Sequence, residues 1–556
     1  MLDNLRSVVL SKSISRAIRS DSPRNYRNFF FVLLAIVTLL CLLMIGVGMA
    51  PIRTMPWDVM INLDNAWRVY QGQIPHTDYF NPLAPFYSVL TALGMKITSP
   101  SASALVYGNV IACAILTPWA WWIARQRFSA PIAFFFTLMI ALLLIAPRPL
   151  GLSPRMTGYA MIYNRQGFVF LGMLLIQLFI PSRESSSRRS QFLSGLSSGT
   201  LLALTLFCKL NYFGAALLAV LLFLPIFRPS LRWAGGFVGG FALFFLGVKV
   251  LLGINLPDLL ADARTAGKLV SVPSRLKKLN KIIAANALTV AIVFGTAFPV
   301  LYLTTTGSFK NLVKNFFRDY LPPLFTIAIS FPLTAGNAQE LDIPTFFIAG
   351  LMILDRIGRS GDGAKPNFRI GKIIFPVLLF ALLYFPIVLN DIQSIAYSAI
   401  WHRTKLASVP ESQKFASPRL ADFIVPEFAE SIPKYEGFDT RAYINKVNDG
   451  LALIQKNTRE EKRILSLDGI NPFPFALGWK SPTGDAAWWW RKYSFSRELH
   501  PNPERVFGNT DIVMIPKRGE QTRFDLLYIY EKYVGKHFAR KDESRDWTLW
   551  VKRSID

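Results

Sequence analysis

The stretch MPWDVMINLDNAWRVYQGQIPHTDYFNPLAPFYSVL, residues 55–90, concentrates the polar groups with which this chain could do chemistry. It holds Asp58, Asp64 and Asp78, with Arg68 four residues after Asp64. Pro56 and Gly72 frame a predicted helix over 57–71. On it, Val59, Met60, Leu63, Ala66, Trp67 and Tyr70 share one face, and Asp58, Asn62 and Asn65 the other. Asp64 sits at the border, one turn before Arg68. Such a helix would lie on a membrane surface with a carboxylate beside the lipid boundary. A carboxylate there could take a proton from an attacking hydroxyl while a lipid phosphate leaves. It could equally be a solvated helix charge paired with Arg68. A leaving phosphate needs positive charge. Arg155, Arg165 and Lys209 are the candidates, arginine having the planar fork that grips phosphate oxygens in pairs. Each could also be an anchor that snorkels to the interface.

Those residues must be positioned by a membrane-embedded framework. Of 556 residues, 52% are hydrophobic, and the mean hydropathy is +0.33. Runs such as Phe29–Ala50 carry no charge and match the hydrocarbon thickness of a bilayer. Eleven spans are predicted, near 29–50, 103–124, 130–147, 166–181, 193–211, 212–227, 233–253, 283–303, 320–334, 343–357 and 373–390. The tight pair at 193–227 turns at Lys209 and Asn211. The first run lacks a small-residue cleavage motif and reads as an uncleaved span.

The formal net charge of +26 would suggest nucleic acid in a soluble protein. Here the basic residues flank apolar runs, so topology explains them and nucleic acid is not expected. Arg6, Lys12, Arg16, Arg19, Arg24 and Arg27, Arg125 and Arg127, Arg183, Arg188 and Arg189, Arg228 and Arg232, Lys310, Lys314 and Arg318, and Arg356, Arg359, Lys365, Arg369 and Lys372 all fall on one side. The positive-inside rule makes that side cytoplasmic. The expected organisation is a cytoplasmic segment 1–28, a membrane domain 29–390 and an extracytoplasmic domain 391–556. Pro82–Ile97 is too short to span and reads as re-entrant or interfacial, leaving 51–102 as one large outer loop. The outer loop 254–282 is basic, with Lys268, Arg275, Lys277, Lys278 and Lys281. It is either an interfacial helix on lipid headgroups or a rim for a phosphorylated lipid. Glu340 and Asp342 occupy another outer loop and read as a solvated turn, or else as carboxylates that bind a cation or the acceptor. Cys41, Cys113 and Cys208 lie in apolar runs, and four scattered histidines make no metal pattern.

The tail changes character. A helix at 441–457, strands at Arg463–Leu467, Asp511–Ile515 and Trp547–Val551, and a helix at Arg523–Tyr533 predict a small α/β domain. Its irregular stretch Asn471–Arg497 carries Trp488, Trp489 and Trp490. These form either an aromatic belt at the interface or a platform that stacks on sugar rings.

The pattern Asp64-x-Ala66, Gly72, Pro75, Asp78 and Pro82-x-x-Pro85, just after the first span, resembles the first outer loop of GT-C-fold glycosyltransferases. These include protein mannosyltransferases and bacterial aminoarabinose and arabinofuranosyl transferases. Gly72–Asp78 reads GQIPHTD, with His76 at the usual tyrosine, and Asp64-Asn65 stands where many members carry an acidic pair. The resemblance implies a polytopic α-helical GT-C-like fold and a polyprenyl-phosphate-linked sugar as donor. It also implies transfer at the outer face to a glycan, lipid or protein acceptor, with an aspartate of this loop as base. Asp64 is the first candidate, Asp58 the second, and Asp78 a support or substrate contact. Some members use a divalent metal; beyond the three aspartates no ligand cluster appears, so no cofactor is predicted. A transporter, a flippase or a non-catalytic partner of the same fold are the competing readings. The span interiors, read as nearly charge-free, and the lack of an internal repeat argue against transport.

Overall fold

The computed structural model describes residues 22–183, 187–269, 271–305, 315–337, 339–359, 369–426, 440–519 and 521–554. Arg6, Lys12, Arg16, Arg19, Lys310, Lys314 and Lys365, which entered the orientation, lie outside these residues.

Each of the eleven predicted spans coincides with a helix. In chain order the helices are α1 (Pro23–Val47), α2 (Pro56–Tyr70), α3 (Phe86–Thr98), α4 (Ala104–Arg125), α5 (Ala130–Ile145), α6 (Ile162–Phe179), α7 (Arg188–Cys208), α8 (Leu210–Phe227), α9 (Leu231–Leu252), α10 (Leu256–Leu269), α11 (Val272–Thr305), α12 (Leu321–Ala335), α13 (Pro344–Arg359), α14 (Arg369–Leu379) and α15 (Phe385–Lys405). Eight stretches among the described residues are long and apolar enough to cross a membrane, and α5 is a shorter apolar helix. α2, α3 and α10 are the additional short helices of the loops.

The predicted pair at 193–227 is two helices separated by one residue. Lys209, at φ −171° and ψ 133°, is extended, ending α7 and capping α8. A π turn, Phe380–Tyr384, joins α14 to α15, so the predicted stop at 390 is absent and the helix runs on to Lys405. The sequence suggests a stop because a carboxylate at 391 is costly inside a bilayer. The bundle instead brings two arginines to it: Asp391 is fully buried and accepts from Arg148 Nε at 2.8 Å and Arg165 Nη2 at 2.6 Å. The three residues stand one position beyond the predicted spans 130–147, 166–181 and 373–390, so the ion pairs gather where those spans end.

α3 is held tightly against α4. A methyl group on Gly94 would stand 2.2 Å from the Ala104 carbonyl oxygen, and one on Gly108 2.8 Å from that of Leu90, so both positions must lack a side chain. The basic loop 254–282 is helical almost throughout. α10 occupies its first half, and Arg275, Lys277, Lys278 and Lys281 ride on the first turns of α11. At 34 residues, α11 is about 50 Å long, well beyond a hydrocarbon core of about 30 Å.

The tail adds α16 (Thr440–Asn457), α17 (Phe473–Leu477), α18 (Pro503–Phe507) and α19 (Gln521–His537) around a sheet. Its strands are β1 (Ile464–Ser466), β2 (Ile512–Pro516), β3 (Phe538–Glu543) and β4 (Trp547–Lys552), in the order β1-β2-β4-β3. β1 and β2 are parallel and the other pairs antiparallel. Strand alternation splits the core in two. Ile464, Ile512, Met514 and Leu549 join the cluster containing Ile444, Val447 and Ile454 of α16, while Leu465 and Val513 join Leu526, Tyr530 and Val534 of α19. β3 was not anticipated, because FARKDE has little apolar alternation and mostly faces water.

The loop after α1 is stitched into this domain. The Phe80 amide donates to the Asp485 carbonyl at 2.8 Å, Ala487 returns a bond to the Phe80 carbonyl at 3.0 Å, and the Phe80 ring enters the α19 cluster. His76 Nδ1 meets Asp262 of α10 at 2.9 Å, and Thr77 donates to Asp258 at 2.7 Å.

Candidate functional site

α2 forms where it was expected, yet it does not lie on a surface. Every residue from Pro56 to Arg68 is buried except Asp58, which is half-buried. The helix is sandwiched between the bundle and the tail. Toward the bundle, Asn62 Nδ2 donates to the Tyr159 carbonyl at 3.1 Å. Toward the tail, Trp67 Nε1 and Gln71 Nε2 both donate to the Trp479 carbonyl at 2.9 Å. The polar face expected to meet water is satisfied by protein instead.

The two candidate bases have opposite surroundings. Asp64 is fully buried and accepts from Arg68 Nε at 2.8 Å. Arg68, equally buried, spends its other two nitrogens on Asp485 in a two-pronged pair, both bonds at 2.8 Å. It also donates to the Pro482 carbonyl at 3.0 Å and lies over the Tyr79 ring at 5.0 Å. Burial pushes the Asp64 carboxyl up to about 6, against the pull of Arg68. Burial likewise raises Asp485, tempered by Arg68. Burial opposes the Arg68 charge, but Asp485 and Asp64 outweigh it and hold the guanidinium firmly protonated. This triad ties loop to tail. Asp485 lies 417 residues from Arg68 in sequence, and its setting, SPTGDAAWWW, offers no local signal of that partnership.

Asp58 occupies the first turn of α2. Burial alone raises its carboxyl to about 7, overriding the helix N-terminus that would favour the anion. It lies close enough to Tyr163, at the start of α6, for its charge to act on the phenol. The ammonium of Lys209 stands over the same Tyr163 ring at 5.1 Å. Lys209 Nζ also donates to Asn164 Oδ1 at 2.9 Å and Asn337 Oδ1 at 2.7 Å. Lys278 Nζ donates to the Asn337 carbonyl, and Lys278 and Arg275 are near enough to act on the charge of Lys209. Tyr163 thus lies between the field of Asp58 from α2 and Lys209 of the α7–α8 break, and Lys278 and Arg275 of α11 act on Lys209 in turn. Lys209 was legible from the sequence as the residue breaking two apolar runs; Tyr163, Asn164 and Asn337 were not, being ordinary polar residues at span ends.

The remaining candidates lie elsewhere. Arg165, a sequence candidate for the phosphate, spends its nitrogens on Asp391 and the carbonyls of Leu142, Leu143 and Arg148 inside the bundle. Arg155 is exposed on the 148–161 connection. Asp78 closes a turn, accepting from the Ile74 amide at 2.6 Å. Trp489, read from the sequence as an interfacial or sugar-stacking residue, is 2% exposed and packed edge-on against Phe495 and Tyr530. Trp488 is partly buried against the large core. Glu340 pairs with Lys281 at 2.6 Å on the surface, whereas Asp342 pairs with buried Arg148 at 2.9 Å and is not a solvated turn residue.

These features define a polytopic α-helical membrane protein whose small mixed-sheet domain docks on the loop after its first span. Two solved structures are similar to it over most of both chains. One is ArnT from Cupriavidus metallidurans bound to undecaprenyl phosphate, at 11% identity and a TM-score of 0.46, over 95% of this chain and 98% of that one. The other is the same ArnT in the apo state, at 11% identity and a TM-score of 0.46, over 94% and 98%. No family model matches the chain, and no curated protein matches it.

Proposed function

We propose that this chain is a glycosyltransferase that moves a sugar from a polyprenyl-phosphate donor to a hydroxyl acceptor at the outer membrane surface. In this reading Asp58 is the general base, and Lys209, Lys278 and Arg275 hold the donor phosphate. The acceptor oxygen attacks C1 of the sugar and its proton passes to Asp58. The C1–O bond to the phosphate breaks, leaving the electron pair on an oxygen that the cations stabilise. The observation that supports the reading is Tyr163, which feels the charge of half-buried Asp58, itself pushed up to about 7, and carries Lys209 Nζ over its ring at 5.1 Å. A base of that strength is suited to neutral pH. Asp64, the first sequence candidate, is better placed as the structural partner of Arg68, since the triad encloses it.

The test is transfer from a radiolabelled polyprenyl-phosphate sugar to cell-envelope acceptors in membranes. Asp58→Asn is expected to lower turnover about 10²–10⁴-fold with the protein still folded. Lys209→Gln is expected to weaken donor binding about tenfold or more. Equal turnover in wild type and Asp58→Asn would remove the mechanism. Unchanged envelope glycans on deletion of the protein would remove the function.

A further inference from the structure

Among the described residues of the tail, the large apolar side chains that stand well out of the core are Tyr493 at 49% exposure, Phe524 at 52% and Tyr528 at 65%. They belong to one surface. Phe524 and Tyr528 are one turn apart on α19. The turn 490–497, which carries Tyr493, is fastened to that helix by its own arginines. Arg491 Nε pairs with buried Asp525 at 2.7 Å, and Arg497 Nε pairs with it at 2.6 Å. The two side chains are 44% and 42% exposed, so their terminal nitrogens face water. The Arg497 guanidinium lies over the Tyr528 ring at 4.3 Å, and that of Arg523 over Phe524 at 5.0 Å. Lys492 is exposed between them in sequence. Across 491–498 and 523–525, four basic residues meet two acidic ones.

Single exposed aromatics need no explanation, but aromatics grouped with arginines mark a binding surface. One buried carboxylate holds two guanidiniums side by side, so an anion that meets both finds them already ordered. Their forks grip carboxylate or phosphate oxygens in pairs. The rings offer flat faces to the C–H side of a sugar, and the two phenols offer hydrogen bonds to its hydroxyls. A lipid-facing surface looks different: on α9 it exposes Leu243, Leu246 and Val250. The same two tail segments also reach α2. Trp490 and Thr522, one residue before Arg491 and Arg523, line a cleft of about 30 Å³ with Tyr443, Asp468 and Trp57. That is room for about two waters, or one sugar hydroxymethyl group. Trp57 immediately precedes Asp58.

We propose that this face of the tail binds a glycan chain bearing carboxylate or phosphate groups. Its anions meet Arg491, Lys492 and Arg497, its rings lie against Tyr493 and Tyr528, and its inner end enters the cleft beside α2. The binding stands on the surface itself. Its assignment to the acceptor rests on the transfer proposed above, and binding without transfer would separate the two.

The test is binding of the full chain in nanodiscs to fluorescent oligogalacturonate and to a phosphorylated mannan oligosaccharide. Neutral maltoheptaose and an oligoglutamate of similar length are the comparisons. Wild type is expected to bind at least one acidic glycan about tenfold or more tighter than both comparisons. Arg497→Gln weakens that binding about tenfold, and Lys492→Gln and Tyr528→Ala each about three- to fivefold. Lys541→Gln, on the α16 side of the sheet where Lys541 donates to the Asn457 carbonyl, leaves it unchanged. Lys492→Gln and Tyr528→Ala disturb no buried ion pair, so unfolding midpoints should match wild type. A hydrophilic maleimide should label Lys492→Cys equally in nanodiscs and in detergent. Equal affinity for maltoheptaose or oligoglutamate, or unchanged affinity in Lys492→Gln and Tyr528→Ala, would overturn the proposal. Protection of Lys492→Cys in nanodiscs would give the surface to lipid and overturn it too.

Discussion

Asp58→Asn removes an ionisable group that folding drives toward its neutral form, and the consequence for stability can be worked out with its sign. An aspartate in an open chain titrates near 3.9, whereas burial holds Asp58 near 7. Below about pH 4 both states are protonated, and the stability attached to this group is fully present. As pH rises toward 7 the unfolded chain sheds the proton and the folded one keeps it. Stability then falls by about 1.4 kcal/mol per pH unit. The loss levels off above pH 7, at a ceiling of about 4 kcal/mol. Solvent reaches part of the carboxylate and reduces that figure. Asparagine carries no such dependence, so between pH 5 and pH 8 the variant should gain about 1.5–3 kcal/mol on the wild type. Paired denaturant or thermal unfolding in one detergent at both pH values measures this. Asp64 titrates in both proteins and cancels. The variant should therefore gain on the wild type in stability as pH rises while losing turnover, as expected where a side chain is kept for chemistry at the expense of the fold. Parallel stability profiles for the two proteins would refute the claim that burial controls this carboxyl.

Three other outcomes follow from the buried groups. Asp485→Ala leaves Arg68 with half its carboxylate partners and should cost about 3–5 kcal/mol, read as a lower unfolding midpoint and faster proteolysis between the tail and the membrane domain. Asp391→Ala strands Arg148 and Arg165 inside the bundle, at a similar cost of about 3–5 kcal/mol, seen as loss of folded protein in membranes. Trp489→Ala should destabilise the tail by about 3–5 kcal/mol while leaving the choice of sugar unchanged; a changed donor preference in assays of alternative sugars would restore its role as a platform.

Helices were the legible part of this chain, because a charge-free run of about twenty residues has few other uses. Short apolar runs gave away β1 and β2, which are buried almost throughout, and alternation gave away β4. What escaped was pairing at long range. Asp391 read as the end of a span because one sequence position does not reveal that Arg148 and Arg165, 243 and 226 residues away, fold onto it. Asp485 was hidden among tryptophans for the same reason. Lys209 was visible because a charged residue interrupting two apolar runs must have a local consequence, and its extended backbone is that consequence.

The choice between Asp58 and Asp64 turns on helix rotation. Six residues at 100° each put them 120° apart around α2, so one cannot share the other's surroundings. Residues 58 and 62 face the bundle, where Asn62 reaches Tyr159 and Asp58 lies by Tyr163. Residues 64, 68 and 71 face the tail, where Arg68 binds Asp485 and Gln71 binds Trp479. The sequence fixes the angle between the two acids but not which of them points toward Tyr163, because that depends on a domain that begins hundreds of residues later. Once the tail claims the Asp64 side through Arg68, the face left toward Tyr163 belongs to Asp58. The triad and the proposed base are in this sense one device: the ion pairs set the rotation of α2, and the rotation presents the carboxylate.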